Sequence, residues 1–190
     1  QTIRCHTTIN DYKNLDINSI DNSIVKIKAD KEISSLADFL NQNYQLFEKI
    51  RLDFNCMLTE NLYFQFESQL TKAAKEKIEY IEDPFPFSRS AWEKADLKLC
   101  CDFISADDWP YQVVKPVRSE ENMDHAVYLT SSMDHPVGVA YGIIHAEKYP
   151  DKIHGFLTLN QYEENSFYKD FKSDSKCIQY VNQGYGIGFD

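Results

Sequence analysis

The sequence predicts an α/β fold in which parallel strands alternate with helices and close into a barrel. Short apolar or β-branched runs recur along the 190 residues, and longer amphipathic stretches separate them. That alternation implies parallel strands joined by crossover helices. The runs number eight, which suits a closed barrel better than a short open sheet. In order they are Ile3–Thr8, Ile24–Lys28, Ile50–Phe54, Ile78–Glu82, Leu97–Asp102, Gln112–Lys115, Ala126–Thr130 and Ile153–Leu157. Between them, residues 31–47 place Ile33, Leu36, Phe39 and Leu40 on one face at helical spacing, and residues 59–77 and 136–148 read likewise. One connection is short. From Asp102 to Gln112 there is too little chain for an ordinary crossover helix, so either a barrel helix is missing there or the two runs pair differently. No internal repeat or Ser/Gly linker interrupts the pattern, and a single barrel domain over residues 1–190 is expected.

Composition narrows the function. A 43 % hydrophobic fraction supports a packed core, and a net charge of −10 argues against a nucleic-acid partner. No apolar run is long enough to cross a membrane as a helix, and the opening QTIRCHTTIN has no signal-peptide pattern. Cys5, Cys56, Cys100, Cys101 and Cys177 form no CxxC pair, and read as small packed thiols of a reducing, cytoplasmic compartment. Residues 60–65, ENLYFQ, match a protease recognition string. They read as native helix, because they lie mid-chain in an amphipathic stretch and are followed by Phe66.

The strand ends carry the chemistry. Ile24–Lys28 ends in Lys26 and Lys28, the third run in Asp53 and Asn55, the fourth in Glu82 and Asp83, the fifth in Asp102, and the sixth in Lys115. In parallel barrels, active sites are built at these carboxyl ends. Alternation along a strand points Lys26 and Lys28 the same way, and likewise Arg51, Asp53 and Asn55. Three carboxylates from separate strands suit Mg²⁺ or Mn²⁺ with open positions for a substrate oxygen. Lysines beside such a dication would have depressed pKa values, useful for proton transfer. The bland alternative, solvated strand-end charge, fits one such strand better than five in succession.

These residues resemble the enolase superfamily, in its muconate-cycloisomerase-like branch. The order Lys26-Ile27-Lys28, Asp53-Phe54-Asn55, Glu82 in IEDPF, Asp102, and Lys115 in VVKP is similar to that branch's lysine pair, metal ligands and second lysine. RLDFN, YIEDPFP, YQVVKPVRS and LTSSMDHPVGVAYG resemble the o-succinylbenzoate synthase family in particular, and GYGIGFD resembles its eighth strand. The likeness runs over residues 3–190 and implies a TIM-type (β/α) barrel. It further implies metal-assisted abstraction of a proton alpha to a carboxylate, then syn dehydration, in menaquinone biosynthesis. Lys28 would be the base. Lys115 would stabilise the intermediate as a cation from the opposite face, and Asp53, Glu82 and Asp102 would hold the metal. Lys26, Asn55, Ser131 and Ser132 would be supporting or substrate-binding groups, the two serines near a succinyl carboxylate. A small carboxylate substrate follows. So does a capping domain that this chain lacks, to be supplied by a missing N-terminal segment or another chain.

Alternatives stay open. An N-acylamino-acid racemase or a dipeptide epimerase would use the same two lysines, and a barrel fragment could serve as a non-catalytic binding module. Asp107 and Asp108 compete with Asp102 as third ligand, but read as a turn beside Trp109-Pro110. His135, next to a proline, reads as structural, and Trp109 as a plug of the short connection. Gly184, Gly186 and Gly188 have no helix after them to make a nucleotide fingerprint.

Overall fold

The computed structural model describes residues 2–102, 109–118, 126–159, 163 and 165–181. In chain order the elements are β1 (Thr2–Arg4), β2 (Thr7–Ile9), β3 (Ile24–Lys28), α1 (Ile33–Asn43), β4 (Lys49–Asp53), α2 (Glu60–Gln69), α3 (Lys72–Lys77), β5 (Ile78–Glu82), α4 (Arg89–Trp92), β6 (Leu99–Cys100), β7 (Gln112–Val114), β8 (Ala126–Leu129), α5 (Pro136–Ala146), β9 (Phe171–Ser173) and β10 (Cys177–Tyr180). Two compact units share the chain, residues 8–112 and residues 1–7 with 113–190, and each has its own core. Among the described residues no helix is long and apolar enough to cross a membrane.

The first unit is an α/β layer with strand order β2-β3-β4-β5-β6, in which β3 through β6 run parallel. Alternation sorts its two faces. Val25, Ile27, Ile50, Leu52 and Ile81 turn to the helices and join the core with Ile33, Leu36, Ala37 and Leu40 of α1. Lys26, Arg51, Tyr80 and Glu82 take the other face. Of the predicted helical residues only Phe39 is half-buried, its ring 5.4 Å from that of Tyr12. The predicted helix over 59–77 is two helices. The α2 helix starts at Thr59, whose hydroxyl accepts from Leu62 N, and α3 starts at Thr71, whose hydroxyl accepts from Ala74 N. A second capping threonine thus restarts the helix where Leu70 is extended. ENLYFQ belongs to α2. Tyr63 is fully buried there, and its hydroxyl donates to Glu67 Oε1, which also accepts from Leu97 N.

In the second unit β1, β10 and β9 form an antiparallel sheet, with Ile3 opposite Ile178. Val113 and Val114 belong to a strand paired with β8. Parallel bridges join Cys5 to His154 and Thr130 to Gly155. The α5 helix buries Val139, Ala140, Ile143 and Ala146, and opens on His135, whose Nδ1 accepts from Val137 N, and Pro136.

The antiparallel sheet corrects the expectation of parallel strands alone. The Ile3–Thr8 run divides, its start pairing with β10 and its end entering β2. The β9 strand, Phe-Lys-Ser, is short and largely exposed, so it carries no apolar signal, and β10 holds only Ile178 and Tyr180 buried. The Ile153–Leu157 run shrinks to bridges at His154 and Gly155. Between β6 and β7 no helix occurs among the described residues; Asp107, Asp108, His125 and Gly184–Gly188 lie outside them.

Gly155 has no room for a side chain. A Cβ there would stand 2.7 Å from His6 Cε1 and 2.9 Å from Thr130 Cγ2. Gly155→Ala is expected to destabilise the chain by about 1–3 kcal/mol, as overpacking does. Urea unfolding at neutral pH checks it, and unchanged stability would show that the ring of His6 moves aside freely.

Candidate functional site

The site begins with strand register. Lys28 lies opposite Asp53, Asp53 opposite Glu82, and Glu82 opposite Cys100, so one row crosses four parallel strands at their carboxyl ends. One step down the strands, Lys26 lies opposite Arg51 and Arg51 opposite Tyr80. Both rows share a face, because side chains two apart point together. Asp53 is 2 % exposed and Glu82 1 %. Two carboxylates so deeply buried require positive charge.

Lys26 supplies it. Its Nζ lies 2.9 Å from Asp53 Oδ2 and 2.6 Å from Glu82 Oε2, and Lys28 Nζ donates to the same Asp53 oxygen. Burial opposes the charge on Lys26, but Glu82 and Asp53 outweigh it and hold its pKa above the ordinary lysine value. Burial likewise opposes the charge on Asp53, and Lys26 and Lys28 overcome it, so Asp53 is held below its usual value. Glu82 goes the other way. Burial, reinforced by the Asp53 and Asp102 carboxylates, pushes it above the ordinary range despite Lys26. The four groups therefore form one electrostatic unit.

A second ion pair lies beneath. The register slips between Ile50 and Arg51, and an extra residue in β5 turns Glu79 toward Lys49 Nζ at 2.7 Å and Arg51 Nε at 2.8 Å. The buried guanidinium also lies 5.1 Å from the centroid of Tyr80. The sequence pattern placed Arg51 on this face but gave no sign of Glu79, whose part depends on the bulge.

The other candidates are placed as follows. Asp102 follows β6, and its backbone N donates to Asp83 Oδ2 at 3.0 Å. Asp83 is 3 % exposed with φ 41°, and the sequence did not single it out as a support; the Pro84 after it was the one available signal of a turn. Asn55 does not continue the alternation. β4 ends at Asp53, and Asn55 and Cys56 turn left-handed with φ of 47° and 57°, leaving Asn55 exposed with its backbone N on Asp53 Oδ1. In the second unit Lys115 follows β7 and is half-buried. Ser131 N donates to Gly155 O and Ser132 N to Asp134 Oδ2, so both amides are already engaged. The Ser132 hydroxyl oxygen is buried and has no hydrogen-bond partner among the described residues. His135 caps α5 and packs 5.1 Å from Phe167. All five cysteines are free, with Cys5, Cys100 and Cys101 buried.

Among the described residues, no three His, Cys, Asp or Glu side chains stand in a metal-ligating cluster. The donor set nonetheless suits a hard dication: Asp53 and Glu82 aim oxygens at one point, which the Lys26 ammonium marks, and Asp102 adds its charge to theirs.

Removing the buried cation tests this unit. Lys26→Met in chelator-treated protein is expected to cost about 3–5 kcal/mol, because it strands buried carboxylate charge. Adding Asp53→Asn is expected to recover part of that loss in urea unfolding. A double variant less stable than Lys26→Met would refute the coupling.

No protein-family model matches the chain. A curated relative, the o-succinylbenzoate synthase of Bdellovibrio bacteriovorus, is 31 % identical over 193 residues, an alignment that takes in 87 % of this chain. The chain spans 58 % of that relative's length. A solved enolase-superfamily member from Listeria innocua matches 99 % of the chain and 60 % of its own, with a TM-score of 0.72 at 14 % identity. The o-succinylbenzoate synthase of Thermosynechococcus elongatus BP-1, solved with Mg in its active site, matches 74 % of the chain and 53 % of its own, with a TM-score of 0.53 at 15 % identity. In sequence the chain is therefore a homologue of that o-succinylbenzoate synthase, and in fold it is similar to solved members of the enolase superfamily.

Proposed function

We propose that this chain carries the catalytic strand ends of an o-succinylbenzoate synthase-like lyase. The observation that supports the reading is the row Lys28–Asp53–Glu82 across adjacent parallel strands, with Lys26 between the two carboxylates. The substrate is 2-succinyl-6-hydroxy-2,4-cyclohexadiene-1-carboxylate, an intermediate of menaquinone biosynthesis in the cytoplasm. We read residues 1–190 as a single (β/α) barrel domain, in keeping with the parallel pairing inside each unit and the likeness of solved structures along the chain. A capping domain from another segment or another chain would complete the enzyme.

Asp53, Glu82 and Asp102 would hold Mg²⁺ or Mn²⁺, which when bound supplies positive charge against the charge that gathers on the substrate carboxylate. Lys28 is the base. Its side chain is partly exposed, so its Nζ can reach a substrate while staying beside Asp53. It takes the proton alpha to the carboxylate and returns it to the departing hydroxide on the same face. Water leaves, and the ring becomes aromatic. Lys115 keeps a positive charge toward the intermediate from the opposite face. Lys26 holds Asp53 and Glu82 in place, and Asn55, Ser131 and Ser132 meet the polar ends of the substrate.

Growth of the aromatic product in the ultraviolet, measured on the complete protein, tests the reading. Lys28→Ala is expected to lower turnover by at least about a hundredfold, the scale for a positioned base, while Mn²⁺ affinity stays unchanged. Turnover near the wild-type rate would show that another group is the base. Loss of α-deuterium from an N-acylamino acid or dipeptide, without aromatic product, would favour the racemase or epimerase reading, and neither reaction would leave a binding module. Asp102→Asn is expected to weaken Mn²⁺ binding more than Asp107→Asn, and the reverse order would move the third ligand to Asp107.

A further inference from the structure

The β6 strand is the least supported strand of the candidate site. It is two residues long, Leu99–Cys100, and comes last in its sheet order. It pairs with β5 at two positions only, Leu99 opposite Ile81 and Cys100 opposite Glu82, and backbone bonds from Ile81 N to Lys98 O and from Asp83 N to Cys100 O flank that pairing. The connection that follows is too short for a crossover helix, which would otherwise cover a strand of this kind. Yet Asp102 stands directly after it.

Trp109 occupies that gap. Its indole Nε1 donates to Leu99 O at 2.8 Å, so a side chain engages the strand. The ring is 8 % exposed and meets Trp92 edge-on at 5.5 Å and 83°, and Phe87 at 5.7 Å and 68°. Both partners lie in the segment after β5, the strand that carries Glu82. Cys101 N then donates to Tyr111 O, two residues beyond Trp109, and Cys101 bridges Gln112 in parallel. Trp109 thus ties the chain after Glu82 to the strand before Asp102.

We propose that Trp109 is a positioning residue for the candidate metal centre: it braces β6 from the side and fixes the strand end that presents Asp102 beside Glu82. This rests on the reading of Asp102 as a ligand. A rigid indole held by one hydrogen bond and several ring edges can do locally what a helix does by covering a strand.

The test is Mn²⁺ affinity, read from the electron paramagnetic resonance of free Mn²⁺ and independent of turnover. It uses the wild-type chain, Asp102→Asn, Trp109→Phe, Trp109→Leu and the Trp109→Phe/Asp102→Asn double variant, each shown folded by far-ultraviolet circular dichroism. Trp109→Leu removes the hydrogen bond and the ring edges, and is expected to weaken Mn²⁺ binding about tenfold, the scale for groups that orient metal ligands. Trp109→Phe keeps a ring but loses the N–H, and is expected to weaken it about threefold. That loss is expected to vanish in the Asp102→Asn background, because it acts through Asp102. A merely structural role would lower the melting temperature of both Trp109 variants and leave affinity in the folded state unchanged, which would overturn the proposal alone. Unchanged affinity in Asp102→Asn would overturn the ligand reading, and the proposal with it. If Trp109→Leu does not fold, Trp109→Phe decides.

Discussion

The burial of Asp53 and Glu82 around one lysine ammonium sets the terms for the rest of the first unit. Each buried ion loses several kcal/mol of hydration, and short contacts from Lys26 to both carboxylates offset that loss. The contacts exist only in one register, with Lys26 two residues before the end of β3 and Asp53 opposite Glu82. A slip of one residue would turn the ammonium into the helix layer and Val25 or Ile27 into the polar face. The apolar residues between the charges therefore act as register marks. Ile27 and Leu52 can enter the core only if Lys26, Lys28 and Asp53 face away from it.

Most of this layer was legible in the sequence, because both of its signals are local. Period-two alternation across Ile24–Lys28 gave the strand and its polar face, and the spacing of Ile33, Leu36 and Leu40 gave α1. The carboxylates could be placed at strand ends because each closes an apolar run. What could not be read depended on non-local pairing. The exposed Phe-Lys-Ser of β9 becomes a strand through its antiparallel partner β10, and nothing in its own pattern predicts this. Glu79 faces Arg51 through a bulge that no spacing rule marks.

Turns after the strands limited the reading of the site in the same way. Alternation placed Asn55 in line with Asp53, yet the chain leaves the strand at once and runs left-handed through Asn55 and Cys56. Such backbone costs on the order of 1 kcal/mol or more per residue, and persists only where surroundings enforce it. Here Cys56 N donates to Asp83 O and Met57 N to Phe54 O. Asp83, itself left-handed, anchors Asp102 from the side. The residues that shape the ends of β4, β5 and β6 are thus bound to one another across strands. They are separated by tens of positions in sequence, which is why motif spacing found the charged tips and missed their supports.

The charge balance at those tips connects this architecture to chemistry. Asp53, Glu82 and Asp102 bring three carboxylates; among the described residues, the deeply buried Lys26 ammonium pairs with Asp53 and Glu82, and Lys28, which pairs with Asp53, is partly exposed. Glu82 records the shortfall: even with Lys26 at hydrogen-bond distance, burial and its two carboxylate neighbours hold it above the usual carboxylate range. A site built only for stability would reach balance, because unneutralised buried charge is among the costliest features a fold can carry. Close-set carboxylates, kept on rigid strand ends and clamped from behind, are instead what a hard dication would neutralise. The register, the bulge and the left-handed turns hold those carboxylates together.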